Sequence, residues 1–295
     1  MKSVEAVDGR LYLQKARKLV DELIEKYLPP GDSEPKALHE AMRYSVMAGG
    51  KRIRPILSLA AYEYCNGDPD AAPATIYPAM AALEMVHTYS LIHDDLPCMD
   101  DDDLRRGRPT CHRKFGEALA VLAGDALHVV AFRLMARTGC NEAVIELADA
   151  VGTSGMLGGQ VADIEAEGRP ASRDEVIRIH TRKTGALMRG AVRIGALLAG
   201  AEPATLARLT AYGEKIGLAF QIIDDILDIE GDREILGKQV GSDSKKRKAT
   251  YPGAVGLETA RREAAALVDA ALEALNDHED NILKYIARFI GQRES

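Results

Sequence analysis

Tryptophan is absent from this 295-residue chain, and phenylalanine occurs four times. With so few large aromatics the core must come from Ala, Leu, Ile and Met, a palette that favours helix over strand. Cysteine is also scarce. Cys65, Cys98, Cys111 and Cys140 stand far apart with no C-x-x-C pair. That spacing excludes a Cys-ligated zinc site and a disulfide framework, and a reduced, cytoplasmic chain is expected. A basic excess is missing too. The net charge is −7, which argues against nucleic acid as the main partner. The opening "MKSVEAVDGR" has no apolar core, so no signal peptide is expected. The best membrane candidate, Ala118 to Phe132, is short and carries Asp125 and His128, so no membrane insertion is expected. No run alternates with period two, so no sheet is expected.

What remains is helical periodicity. Amphipathic or apolar helical patterns run from Leu11 to Leu28, Ser33 to Ala48, Ile53 to Asn66, Pro73 to Asp95, His112 to Arg137 and Glu142 to Ala162. Four more run from Arg173 to Leu198, Pro203 to Ile229, Thr259 to Asn276 and Asn281 to Arg293. No Pro/Ser/Gly linker divides them, so residues 1–295 are expected to form one all-α domain, a bundle of ten or more helices.

Two acidic constellations interrupt this apolar scheme. The pattern ending at Asp95 is core-like, yet six aspartates fall between Asp94 and Asp103, with Arg105, Arg106 and Arg108 just beyond. His87 and Asp94 lie two turns apart on one face. Pro97 breaks the helix, so Asp100 can fold back towards Asp94. In the later helix, Ile216, Ile222, Ile223 and Ile226 cover most of the circumference, while Gln221, Asp224, Asp225 and Asp228 form one polar stripe. Buried carboxylates on one stripe repel one another and need a counter-charge. Oxygen-only clusters of this kind suit a hard cation such as Mg²⁺, which keeps waters and completes its shell with substrate phosphate.

Basic constellations oppose the acids. "GGKRIRP" sets Lys51, Arg52 and Arg54 at a helix start, the wrong end of the dipole for cations unless an anion binds there. Lys183 with Thr184, Lys238 and Lys248 add further cations. The segment 231–253 reads either as a cover over an anionic ligand or as a solvated loop. Cations opposite two acidic clusters point to more than one polyphosphate, bridged by metal.

These residues, in this order, resemble a trans-isoprenyl diphosphate synthase. "DDLPCMD" from Asp94 to Asp100 and "DDILD" from Asp224 to Asp228 match its two aspartate-rich motifs. "GGKRIRP", "LRRGRPTCH", "GGQVADIEAEG", "RKTGAL" and "GKQVGSD" with "KATYP" complete the set. The resemblance implies an all-α bundle around a deep central cavity, a homodimer, and Mg²⁺-dependent coupling of an allylic diphosphate with isopentenyl diphosphate. Three Mg²⁺ ions are implied when diphosphate is bound, with Mn²⁺ as a substitute. By motif, Asp94, Asp100 and Asp224 resemble the metal ligands, supported by Asp95 and Asp228. Arg105, Lys183, Lys238 and Lys248 resemble the residues that hold the allylic diphosphate. Lys51, Arg54, His87 and Arg106 resemble the isopentenyl diphosphate site. Thr184 and Gln221 resemble polar groups near the reacting carbons, and Lys183, Asp224 and Asp225 join them in the catalytic set.

No Ser/His/Asp or Cys/His motif is recognisable, which suits a reaction driven by ionisation of a C–O bond. Other readings are a metal-dependent phosphohydrolase from His93-Asp94, an inactive regulatory subunit, and a terpene cyclase. "DDILD", the intact acidic motifs and "GGKRIRP" with His87 argue against these in turn. Product length is expected from Tyr89, five positions or about 7.5 Å down the helix from Asp94. In the resembling family side chains here floor the tunnel, and neighbouring Ser90 is too small to do so. A C15 product, farnesyl diphosphate, is therefore expected, with a C20 product as the alternative.

Overall fold

The computed structural model describes residues 8–66, 75–230, 248–276 and 280–293. Helices α1 (Gly9–Tyr27), α2 (Lys36–Val46), α3 (Ile53–Asn66) and α4 (Ile76–Asp94) come first. A two-residue hairpin, β1 (Leu104–Arg105) and β2 (Arg108–Pro109), then leads to α5 (Cys111–Phe115) and α6 (Glu117–Ala136). Helices α7 (Asn141–Val151), α8 (Met156–Ala166) and α9 (Arg173–His180) follow, then a π-helical turn at Thr181–Gly185. The series closes with α10 (Ala186–Leu198), α11 (Pro203–Glu230), α12 (Tyr251–Val255), α13 (Leu257–Ala274) and α14 (Ile282–Gly291).

The all-α architecture matches expectation, and several boundaries differ for local reasons. Gly116, at φ 88°, separates α5 from α6, where one helix is expected. Gly152 (φ −67°) and Gly155 (φ −107°), both outside helical ψ, flank the turn that separates α7 from α8. Ser33 does not cap α2; its hydroxyl donates to the Pro30 carbonyl at 2.7 Å, and the helix starts at Lys36. The small hairpin corrects the expectation of no strand. Arg106 and Gly107, both at positive φ, form its two-residue turn, a conformation that matches strand twist.

Helix α4 is buried around most of its circumference and packs against α3 and α6. Helix α11 is held between α10 and α13. An all-round apolar helix has no solvated face, so its polar residues can only face a cavity or a partner. Helix α6, with mean hydropathy 1.7, is long and apolar enough by composition to cross a membrane, longer than the stretch singled out in the sequence. In the fold it lies against α4 and buries Leu127, Ala131, Leu134 and Met135.

One basic residue changes role. Arg52, at φ 54°, turns into the protein rather than towards an anion. Its Nη1 donates to Glu84 at 2.6 Å, its Nε to Asp21 at 2.9 Å and its Nη2 to the Val46 carbonyl at 2.9 Å. This pair ties the start of α3 to the middle of α4, and removing one partner strands the other charge in the core. Glu84→Ala is expected to lower stability by about 3–5 kcal/mol in urea titration. Replacing both partners together, Arg52→Met with Glu84→Leu, is expected to cost less.

Candidate active site

A cavity of about 440 Å³ opens between the C-terminal end of α4, the π-helical turn and the C-terminal half of α11. Asp94, Asp100, Asp163, Lys183, Thr184, Gln221, Asp224 and Lys248 line it. A second cavity, about 270 Å³, continues from Asp94 and Asp224 past Tyr89, Ser90, Leu157 and Phe220. A charged chamber thus leads into a more apolar one.

The acidic side is assembled by the end of α4 before Pro97. Helix α4 ends at Asp94, and the following turn folds back so that the Asp100 N–H donates to the Asp94 carbonyl at 2.8 Å. Burial pushes the Asp94 carboxyl up to about 6; Asp100 adds to the rise, while Lys183 opposes it most among the nearby cations. Asp100 pairs with Lys248 at 2.9 Å and Asp224 with Arg293 at 2.9 Å. Arg293 also stacks over Phe220, its guanidinium 4.4 Å from the ring centroid. Asp95 is buried and held by Arg105, at 2.7 Å from Nε and 2.6 Å from Nη2. Asp228 is buried one turn beyond Asp224.

Asp225 is engaged inside the protein. It accepts from Gln221 Nε2 at 3.0 Å and from the Tyr251 N–H at 2.7 Å, and His180 Nε2 lies 3.4 Å away. This orients the Gln221 amide so that its oxygen accepts the Thr184 hydroxyl at 2.7 Å. The hydroxyl proton of Thr184 is therefore committed to Gln221, which leaves its lone pairs for the cavity.

The basic side is a pocket of mutually repelling cations. Burial lowers Arg54, whose Nε has no hydrogen-bond partner among the described residues. Burial, then Arg54 and Arg106, holds His87 well below its usual range, so it is neutral. Lys51 is lowered by burial and then by Arg293, and Arg106 by burial above all. Arg106 donates to the Gly49 carbonyl, and the neighbouring Gly50, at φ 137°, holds a backbone conformation that favours glycine. Cations gathered so that they lower one another suit a bound anion of high charge.

Tyr89 is 4% exposed; its ring stacks on His128 at 4.5 Å and meets His93 edge-on at 5.8 Å. Ser90 donates back to the His87 carbonyl at 2.9 Å and stays half-buried. Lys238 lies outside the described residues. Sequence reasoning missed two residues here. Asp163 sat inside the quoted "GGQVADIEAEG" without a role. Arg293 had no motif to mark it.

Among the described residues no three carboxylate, imidazole or thiol groups converge on one point as an ion site. The donors nevertheless fit a hard divalent cation. They are all oxygen, Asp94 is destabilised by burial and by Asp100, and Asp100 and Asp224 lean on protein cations instead.

An α-helical bundle enclosing such a chamber is an isoprenoid synthase fold. The polyprenyl synthetase family model matches residues 35–290. The chain is 44% identical over 295 residues to the farnesyl diphosphate synthase of Escherichia coli (strain K12), covering 95% of this chain and 97% of that one. It is 45% identical over 284 residues to the geranylgeranyl diphosphate synthase of Cyanophora paradoxa, covering 94% and 93%. A crystal structure of an FPP/GFPP synthase from Zymomonas mobilis superposes with a TM-score of 0.82 at 38% identity, covering 97% of this chain and 99% of that one. The chain belongs to the polyprenyl synthetase family: it is a prenyltransferase of isoprenoid synthesis that acts on isoprenoid diphosphates.

Ionised Asp94 costs the metal-free fold about 3 kcal/mol at neutral pH. The sign follows from a folded-state carboxyl raised above its unfolded value. The cost is absent below the unfolded value, grows as pH rises to about 6 and is constant above it. In chelator near pH 7, Asp94→Asn is expected to raise Tm by about 5 °C, measured by thermal melting. Near pH 4 the gain should vanish, because wild-type Asp94 is then protonated.

Proposed function

We propose that the chain is a Mg²⁺-dependent farnesyl diphosphate synthase that couples isopentenyl diphosphate to dimethylallyl and then geranyl diphosphate. The observation that carries the reading is one cavity system with three parts. Facing acids from α4 and α11 form one wall. Arg54, Arg106 and neutral His87 line the basic side, and Lys51 lies near Asp224 and Arg293. Tyr89 lies on the more apolar chamber beyond.

Bound Mg²⁺, held by Asp94, Asp100 and Asp224, would neutralise the departing pyrophosphate. The residues of the chain do the rest. Lys183 and Lys248, with Lys238 and Arg105, hold the allylic diphosphate beside the acids. The cationic pocket presents isopentenyl diphosphate with its double bond towards the allylic carbon. The allylic C–O bond breaks, its electron pair leaving with pyrophosphate. The double bond of isopentenyl diphosphate then forms the new C–C bond. The resulting cation loses a proton to pyrophosphate, and a new double bond forms. Lone pairs on Thr184, oriented through Gln221 and Asp225, lie where positive charge develops.

The C15 product rests on Tyr89, whose ring is clamped by His128 and His93 rather than free to swing aside. A C20 product is the second reading, favoured by the similarity to geranylgeranyl diphosphate synthases. The chain works as one domain and a homodimer. Exposed apolar side chains, among them Val129 on α6, Ile145 on α7 and Val161 on α8, suit contact with a second copy. Four unpaired cysteines suit the reducing cytoplasm.

Incubation with labelled isopentenyl diphosphate and geranyl diphosphate, followed by chain-length analysis, is expected to give C15. A wild type that makes mostly C20 contradicts the assignment. Tyr89→Ala should shift product to C20 or longer; an unchanged C15 distribution would remove Tyr89 as the floor. Excess chelator should abolish turnover, and Asp224→Ala should lower kcat by about 100- to 1000-fold.

A further inference from the structure

We infer that Asp163 is a positioning residue that fixes the ammonium of Lys183 at the diphosphate end of the cavity, an inference that rests on the prenyl-transfer reading. Asp163 lies on α8 and is 5% exposed. Its Oδ2 accepts from Lys183 Nζ at 2.6 Å, and both residues line the 440 Å³ chamber.

The contact is built by the backbone as well as by charge. Gly159 lies one turn before Asp163 on the same face of α8. A Cβ there would lie 2.1 Å from the Lys183 backbone nitrogen, so only glycine lets α8 approach the π-helical turn this closely. The turn inserts an extra residue into the α9–α10 path, a device common at functional sites. Glycine thus brings two backbones together, and four residues on the carboxylate catches the side chain.

A lysine ammonium has three N–H donors on a flexible stem. Asp163 takes one donor and fixes the nitrogen, leaving two for phosphate oxygens. A carboxylate beside an anion site cannot strengthen ground-state binding of that anion. Its contribution is expected in the orientation of Lys183 as the C–O bond breaks, and hence in kcat rather than KM.

The test measures kcat and KM for the allylic diphosphate in Asp163→Asn and Asp163→Glu, each with Lys183 present and with Lys183→Ala. Asp163→Asn is expected to lower kcat by about 10- to 100-fold, with KM unchanged or lower. Asp163→Glu, which keeps the charge, should recover part of the loss. In the Lys183→Ala background Asp163→Asn should cost less than about twofold, the non-additivity of residues acting as a unit. Equal losses in both backgrounds, a raised KM with intact kcat, or no loss at all would overturn the assignment. Loss of the folded melting transition in both Asp163 variants would overturn it too. A wild type that couples no isoprenoid contradicts the function itself. The positioning role is then read by calorimetric binding of inorganic pyrophosphate: Asp163→Asn should change affinity by different factors with and without Lys183, and equal factors would overturn it.

Discussion

Carboxylates forced together at the rim of an apolar cavity are the constraint on which this structure turns. Helix α4 is buried along most of its length and ends at Asp94, and α11 carries Asp224 on its polar stripe among buried isoleucines. Asp94 loses hydration and feels Asp100, so the site requires positive charge. The protein supplies some of it from widely separated segments. Lys248 reaches Asp100, Arg293 reaches Asp224, and Lys183 lies between Asp163 and Asp94. These contacts leave Asp94 only partly compensated, which is the property expected of a site that takes up a cation together with an anionic substrate.

The same charge types also serve the fold, and burial separates the two uses. Arg52 and Glu84 are both almost fully enclosed and neutralise each other. Their neighbours behave differently: Lys51 is exposed and Arg54 half-buried, and both feel other cations, as does Arg106. In the acidic run, Asp95 is matched by Arg105, while Asp94, immediately before it, turns into the chamber. Adjacent residues in one motif thus divide between structure and chemistry because successive helical positions point about 100° apart.

The helical architecture was legible because α4 and α11 are apolar on nearly every side, which periodicity exposes directly. The return of Asp100 to Asp94 was legible from Pro97. What could not be read were contacts between segments distant in the chain. Arg52 looked like its neighbours, and only the tertiary position of Glu84 and Asp21 turns it inward. The breaks at Gly116 and at Gly152–Gly155 were hidden within apolar runs that read as continuous helix. Asp225, read as catalytic, lines the chamber and also bonds to Gln221 and the Tyr251 N–H, contacts that stripe geometry alone does not reveal. The hairpin escaped because two-residue strands carry no periodicity.

The central claim is that this acidic chamber accepts a diphosphate only together with a divalent cation. Calorimetric titration of inorganic pyrophosphate into the wild-type protein, with Mg²⁺ and then in chelator, tests it most directly. The account predicts measurable binding with Mg²⁺ and an affinity at least about 100-fold weaker without it. Equal affinity in the two conditions would contradict it.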